Sequence, residues 1–280
     1  MRKRLRLIGG GLRLTTGLLV SIVFILPLYW AVIASVREAG APPPATIAWW
    51  EPDPHWENFA AVFEIVPMAK YMGNSLLVVA GAVPITLFVS SLAGFAVSQI
   101  AQQTRDWVIN LSVAMLLIPS AAVWLFRFQL LVWLGLLDSL WALIVPAFAA
   151  SSPLFVLLFN WNYRRIPAET FDAARLDGAG AWTTWWRVAL PLSRPTLIGV
   201  TVLAFVLYWS DFISPVLYIY NPDWYTMPIG LQLLNQVGST NWPVLMAGSL
   251  IMTAPVLVLF LLLQRFFLHD LSLAGLFDRN

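Results

Sequence analysis

Residues 166–195 read IPAETFDAARLDGAGAWTTWWRVALPLSRP. The reading of this one polar stretch decides how the rest of an apolar chain is understood. Pro167 suits the first turn of a helix, where its missing N–H costs nothing. Glu169 and Asp172 then lie near the positive end of that helix and Arg175 nearer the negative end, which complements the dipole. Asp172 and Arg175 are three apart, so they can pair on one face. Ala173 and Ala174 leave a low, smooth patch that another protein can approach closely. After Asp177, Gly178 supplies the left-handed residue that commonly ends a helix. A second helical stretch runs from Ala179 to Leu190 and is stopped by Pro191. Its Trp182, Trp185 and Trp186 suit a membrane interface, where an indole is half wet. The segment therefore predicts a short helix, a sharp glycine turn, and a second helix lying along a membrane surface. A structured loop this long exceeds what a simple connection needs.

Outward from the loop the chain is greasy. Of 280 residues, 60% are hydrophobic and 11% charged, and the mean hydropathy is +0.77. A soluble domain carries about 25% charged residues, so lipid is the natural solvent for the excess. A spanning helix needs roughly 20 apolar residues. Six candidates meet this: about 16–36, 74–98, 107–126, 139–159, 196–218 and 244–264. Pro27, Pro84, Pro119, Pro146 and Pro255 fall within five of them, which a helix bundle tolerates where neighbours satisfy the freed carbonyls. Leu125 to Leu137 is also apolar but too short to span and includes Arg127; it reads as an interfacial or re-entrant helix. MRKRLR followed by an apolar run has the outline of a signal peptide, but the run exceeds a typical h-region, so it reads as a retained first span.

Charge sets the orientation. Five basic residues precede the first span, one lies in 99–106, five in 160–195 and two after 264, which places 13 of the 16 Lys and Arg on one side. The positive-inside rule then puts both termini and the 160–195 loop in the cytoplasm. Net charge is only +2 and no nucleic-acid motif accompanies it. Cysteine is absent, which removes disulfides and thiol chemistry together. His55 and His269 are far apart in sequence, and metal sites want several ligands, so no metal is expected. No nucleophile–base set is present either, and a single membrane domain over 1–280 is expected.

Two outer segments are rich in aromatics. The first, 37–72, includes Trp49, Trp50 and Trp56. The second, 219–243, includes Tyr220, Trp224, Tyr225, Gln232 and Asn235, and reads as an aromatic belt, a partner-receiving surface, or both. Asp211, in Trp209-Ser210-Asp211-Phe212, is the one acid inside a span. Its charge is expensive in lipid, so it should face an interior, a cavity or a partner. Lining a path and packing helices stand open for Asp211, and equally for Asn74 at the outer end of the second span. Trp124, Trp133 and Trp141 could stack on sugar faces, with a lipid-facing or core role the more ordinary reading for each.

The 166–195 segment resembles the motif of permease subunits of ABC importers: E-A-A, three residues, Gly, nine residues, Ile, any residue, Leu-Pro. Here the positions are Asp172-Ala173-Ala174, Gly178, Val188, Leu190 and Pro191, with every spacing kept. Asp172 replaces Glu, shortening the carboxylate arm by one methylene, and Val188 replaces Ile. The resemblance extends in order through HWENFAAVF (55–63), YMGNSLLV (71–78), LAGFAVS (92–98), MLLIP (115–119), LGLLDS (134–139), YWSDFISP (208–215), YTMPIGL (225–231) and MAGSLIMTAPVLVLFLLLQRFF (246–267). It is nearest the maltose-type, carbohydrate-importing branch, in the subunit without a large extra outer domain; the tail LSLAGLF (271–277) matches loosely.

The resemblance implies an all-α membrane protein of type I ABC importer permease architecture, with six transmembrane helices in the bacterial cytoplasmic membrane. It implies no catalytic residue and no cofactor on this chain, with ATP and Mg held by partner ATPases. The implied partners are a second permease chain, two ABC ATPases, an extracytoplasmic solute-binding protein and membrane lipid, and the cargo is a sugar or oligosaccharide. Coupling would rest on Glu169, Asp172, Ala173, Ala174, Arg175, Asp177, Gly178, Leu190 and Pro191, and the substrate path on Asn74, Trp209, Ser210 and Asp211. Tyr220, Trp224, Tyr225, Gln232 and Asn235 would meet the binding protein. An importer for amino acids or peptides is the alternative cargo class. An ion-coupled secondary transporter is a more distant alternative, since it wants paired intramembrane carboxylates or repeat-related broken helices.

Overall fold

A computed structural model describes residues 2–277 except 45, 47, 48, 151 and 238–240, with side chains described between 15 and 265. Among the described residues all regular structure is helical. Three helices are long and apolar enough to cross a membrane: the 15–35 part of α1 (Arg2–Ser35), α3 (Met68–Gln99), and the 242–265 part of α14 (Trp242–Phe277). These match the first, second and sixth expected spans. The N-terminal basic side chains, His269 and the 271–277 side chains lie outside the described ones.

The other three expected spans are bent, and the bends correct their outlines. α4 (Gln102–Leu116) and α5 (Ser120–Leu134) meet at 95°, so no single helix covers 107–126. The break falls on Leu117–Pro119; the residue before a proline is pushed out of the helical region, and Pro119 then opens α5. The apolar stretch read as an interfacial helix is the body of α5. The 139–159 span is α6 (Trp141–Ile144), a 3₁₀ turn (Val145–Ala149) and α7 (Pro153–Tyr163), bent by 40°. The 196–218 span stops early, because α11 (Arg194–Trp209) ends before a short α12 (Ile213–Tyr218). Counting each bent pair as one crossing gives up to six spans.

The chain divides into two compact groups. The first, residues 1–68 with 230–254, is knit at the end of α1. Asn58, almost fully buried in α2 (Glu57–Ile65), donates to the carbonyls of Ser35 (2.9 Å) and Arg37 (2.7 Å). The first is an acceptor that the end of α1 leaves open, and the second lies just beyond it. Arg37 in turn donates to the Pro42 carbonyl at 3.0 Å. His55 bonds Glu57 at 2.6 Å, and that carboxylate raises the ring's pKa above its ordinary value. Glu57 is held low by its own backbone N–H and then by His55.

The second group, residues 69–229 with 255–280, is built on α3, the most enclosed of the long helices: 39% of its apolar window is buried, against 11% for α1. Gly94 sets its crossing with α7. A Cβ there would lie 2.7 Å from that of Phe159 and 2.9 Å from the Val156 carbonyl, so only glycine permits the approach. Farther along, Val78, Leu131, Leu143, Ile144, Tyr218 and Ile219 close an apolar cluster between α3, α5, α6 and α12.

Candidate functional site

The loop after α7 has the predicted helix–glycine–helix form. α8 (Ala168–Leu176) carries Glu169 in its first turn and Arg175 in its last. Gly178 has φ +80°, its N–H donates to the Arg175 carbonyl at 3.0 Å, and the Ala179 N–H donates to the Ala174 carbonyl at 2.9 Å. This pair of bonds is the Schellman closure, in which a left-handed residue satisfies the last open carbonyls. Asp172 and Arg175 pair at 3.0 Å, and the other arm of the guanidinium donates to Gln99 Oε1 at the end of α3 (2.9 Å).

Phe171 fixes how α8 is mounted, and the sequence reading passed over it. It is buried against Phe95 of α3 (ring centroids 6.0 Å apart), and Phe95 meets Tyr163 of α7 edge-on at 5.8 Å. With Phe171 turned inward, Glu169, Asp172 and Ala173 are exposed. Leu176 shares their exposure at 89%, which places a large apolar group on the charged outer side of the helix. An isolated exposed leucine is ordinary; one beside Asp172 and Ala173 at helical spacing completes a patch. Its signal was available in the sequence as the i+4 neighbour of Asp172.

The second loop helix is less regular than expected. α9 (Ala181–Thr184) passes through a π turn (Trp185–Ala189) into α10 (Leu190–Leu192), and the combined element meets α11 at 82°. A near-perpendicular approach is what a surface-lying helix before a span requires. Pro191 sits inside α10 rather than stopping the helix, and the break falls at Ser193. Of the three tryptophans, Trp182 and Trp186 are exposed, but Trp185 is 1% exposed and packs edge-on to Phe88 at 5.6 Å. Trp185 is therefore a core residue and not an interface anchor.

The expected path residues separate. Ser210 and Asp211 lie in the break between α11 and α12 and line a cavity of about 530 Å³ with Trp124, Arg127 and Tyr208. Asp211 is thus not within a span helix. Its Oδ1 accepts the Ser214 N–H at 3.1 Å, capping α12. Trp209 points elsewhere: it is 1% exposed and stacks on Phe205 at 5.6 Å. Asn74 is buried, and its Nδ2 donates to the carbonyls of Asp223 (2.8 Å) and Tyr225 (2.9 Å), so its amide is engaged in holding a loop.

That loop, 219–226, is tightly bonded. Asp138, itself at φ +58°, accepts from the N–H groups of Tyr220 (2.9 Å) and Asn221 (2.7 Å). Lys70 pairs with Asp223 at 2.5 Å, and Ser75 accepts the Met227 N–H at 2.8 Å. Tyr220 and Trp224 are exposed, and Tyr225 donates to the Tyr220 carbonyl at 3.3 Å. The expected outer stretch 219–243 is not one loop, because α13 (Met227–Val237) occupies its middle. Gln232 and Asn235 stand exposed on α13, in residues of the first group, whereas Tyr220, Trp224 and Tyr225 belong to the second.

Comparison with known proteins fixes the family. The model of the binding-protein-dependent transport system inner membrane component family matches residues 87–272. The arabinooligosaccharides transport system permease protein AraQ of Halalkalibacterium halodurans is 31% identical over 220 residues, 78% of each chain. The sulfoquinovosyl glycerol permease SmoH of Agrobacterium fabrum is 27% identical over 98% of this chain and 94% of its own. The trehalose/maltose permease MalG of Thermococcus litoralis is 27% identical over 98% and 97%. In fold, the chain is similar to the crystal structure of a bacterial ABC transporter involved in the import of the acidic polysaccharide alginate. That match has a TM-score of 0.74 at 19% identity and covers 94% of this chain and 97% of the other. The chain belongs to the binding-protein-dependent transport system inner membrane components, and is a multi-pass permease of the ABC importer class in the cytoplasmic membrane.

Proposed function

We propose that the chain is one half of the membrane path of an ATP-driven importer for a sugar or oligosaccharide, and that α8 is the lever through which a cytoplasmic ATPase moves it. The carrying observation is α8 itself: a Schellman-closed helix, mounted by Phe171, that presents Asp172, Ala173 and Leu176 outward. In this reading six spans cross the membrane as one permease domain over 1–280, with both termini and the 160–195 loop in the cytoplasm. ATP and Mg belong to two partner ATPases, and this chain contributes no catalytic group. Glu169, Asp172, Ala173, Ala174, Arg175, Asp177 and Gly178 form the docking element, and Leu190 and Pro191 lead its motion into α11. A second permease chain completes the path, and lipid covers the apolar helix faces.

An extracytoplasmic solute-binding protein delivers the cargo, meeting Tyr220, Trp224 and Tyr225 of the fixed loop and Gln232 and Asn235 of α13. A solved relative of similar fold is described as an alginate ABC transporter in complex with a pentasaccharide-bound periplasmic protein, which supports this kind of partner. Sugar cargo is supported by the relatives' names, which specify arabinooligosaccharides, sulfoquinovosyl glycerol and trehalose or maltose. Ser210 and Asp211 line the path; Asn74 and Trp209 support it, the first through its loop bonds and the second through packing.

Gly178 tests the lever. A left-handed conformation costs a non-glycine residue about 1–2 kcal/mol, and a β-branched side chain stands in the way of any docked partner. Nothing within 4 Å would obstruct a Cβ inside this chain, so the effect is not a clash with its own fold. Gly178→Val should abolish uptake and stimulated ATPase activity in proteoliposomes while membrane insertion stays intact. Normal coupled uptake by that variant would reject the docking role.

A further inference from the structure

Arg127 is a charge that the reading so far leaves unexplained. It stands half-buried in α5, whose other residues are uncharged, SAAVWLFRFQLLVWL, and it lines the same cavity as Asp211. Among the described residues no carboxylate lies within ion-pairing distance of its guanidinium. An ionisable group in an otherwise apolar helix of a membrane protein is costly and ordinarily marks a path or site. The cavity thus holds one cation and one anion that face the same space without closing on each other.

The carboxylate and the wall around both charges are held in place from behind. Asp211 is oriented by the Ser214 N–H at 3.1 Å. The backbone around Trp124 is tied by the Tyr218 hydroxyl, which donates to the Trp124 carbonyl at 3.2 Å. Tyr208 shares a hydrogen bond of 2.7 Å with Thr86. Ser120 and Ser210 add small hydroxyls to the wall, and Trp124 adds an aromatic surface.

We infer that this cavity is a subsite for an uncharged glycosyl unit, whose hydroxyls accept from Arg127 and donate to Asp211 while Trp124 packs on the sugar ring. The inference rests on the reading of the cavity as part of the path and adds the cargo's charge class. The argument is one of balance. A hydroxyl both donates and accepts, so a run of them satisfies a guanidinium and a carboxylate at once. A uronate or sulfonate would pair with Arg127, bidentate and strong, but would bring a second negative charge against Asp211. A cationic ligand would meet the converse penalty from Arg127. With the two charges in balance, the neutral polyol is the class that leaves neither exposed.

Because the chain has no cysteine, Ser120→Cys gives it a single thiol on the cavity wall. In the assembled importer, labelling of that thiol is measured with increasing maltotriose or trigalacturonate as probes. Maltotriose should protect the thiol at concentrations at least tenfold lower than trigalacturonate. Adding Arg127→Gln should weaken maltotriose protection about tenfold or more, and adding Asp211→Asn should bring trigalacturonate to the level of maltotriose. Preferential protection by trigalacturonate would overturn the neutral class and leave the path reading standing. No protection by either sugar would overturn the subsite, and wild-type uptake of the importer's own cargo by Arg127→Gln would in addition overturn the cavity as a path wall.

Discussion

The 219–226 loop and the 166–192 loop are both held by α3, but by different chemistry. The first is riveted by directional polar bonds: two N–H groups on Asp138, two carbonyls on Asn74, and a backbone N–H on Ser75. The second is closed on itself by Gly178 and mounted through buried aromatics, Phe171 on Phe95 and Trp185 on Phe88, with one side-chain bond from Arg175 to Gln99. Hydrogen bonds of the first kind fail when their geometry shifts by an ångström or so. Aromatic packing is less directional and tolerates tilt between several arrangements. One loop is therefore fixed in shape relative to α3, whereas the other is fixed in its own shape and its mount permits tilt.

The sharpest way to break this contrast is at Phe171. Phe171→Ala removes a buried aromatic, a change that costs about 3–5 kcal/mol in a well-packed core. Because α8 retains its own closure, the loss should appear as uncoupling: the assembled complex hydrolyses ATP without matching uptake, with the permease still folded by thermal melt. Unchanged coupling would mean that the aromatic mount is dispensable. Asn74→Ala comes next. It leaves two part-buried carbonyls without their amide partner, a loss that approaches about 1–3 kcal/mol only where water cannot replace the donor, and should lower the melting temperature and open chymotryptic sites at Tyr220, Trp224 and Tyr225. Loss of uptake with no gain in cleavage would assign Asn74 to the path instead of the loop.

The smallest effect is expected at Lys70. Its pair with Asp223 is short, but both side chains are about half exposed or more, and exposed pairs contribute roughly 0–1 kcal/mol. Lys70→Ala should leave the melting temperature within a degree or two and the loop resistant to cleavage. A large drop would show that this rim pair, and not the buried amide of Asn74, holds the loop.

Much of this was legible in the chain. The caps of α8 follow from local rules: an acid in the first turn, Arg175 in the last, and a glycine where the left-handed residue is needed. Three spans were readable because they are continuous apolar runs. The bent ones were not, because hydropathy averages over a break. Leu117–Pro119 is apolar enough to look like helix interior, and only backbone sterics at Pro119 turn the chain. Phe171 went unremarked because it has no periodic partner in sequence; the ring it packs on, Phe95, lies 76 positions away. Trp185 was misplaced because the ring it packs on, Phe88, lies 97 positions away on α3. Arg127 and Asp211 are 84 positions apart and share a cavity that no spacing rule connects.

Sequence by itself determined that this is a membrane protein and that residues 166–195 form a capped helix, a glycine turn and a second helix. Each of these depends on transfer energies and backbone preferences that act within a turn or a span. Tertiary structure decided what the polar groups are for. It made Asn74 a clamp, Trp209 and Trp185 core residues, and Asp211 at once a helix cap and a cavity wall. The physical reason is that a buried polar group is defined by its partner, and partners are chosen by how helices cross rather than by distance along the chain.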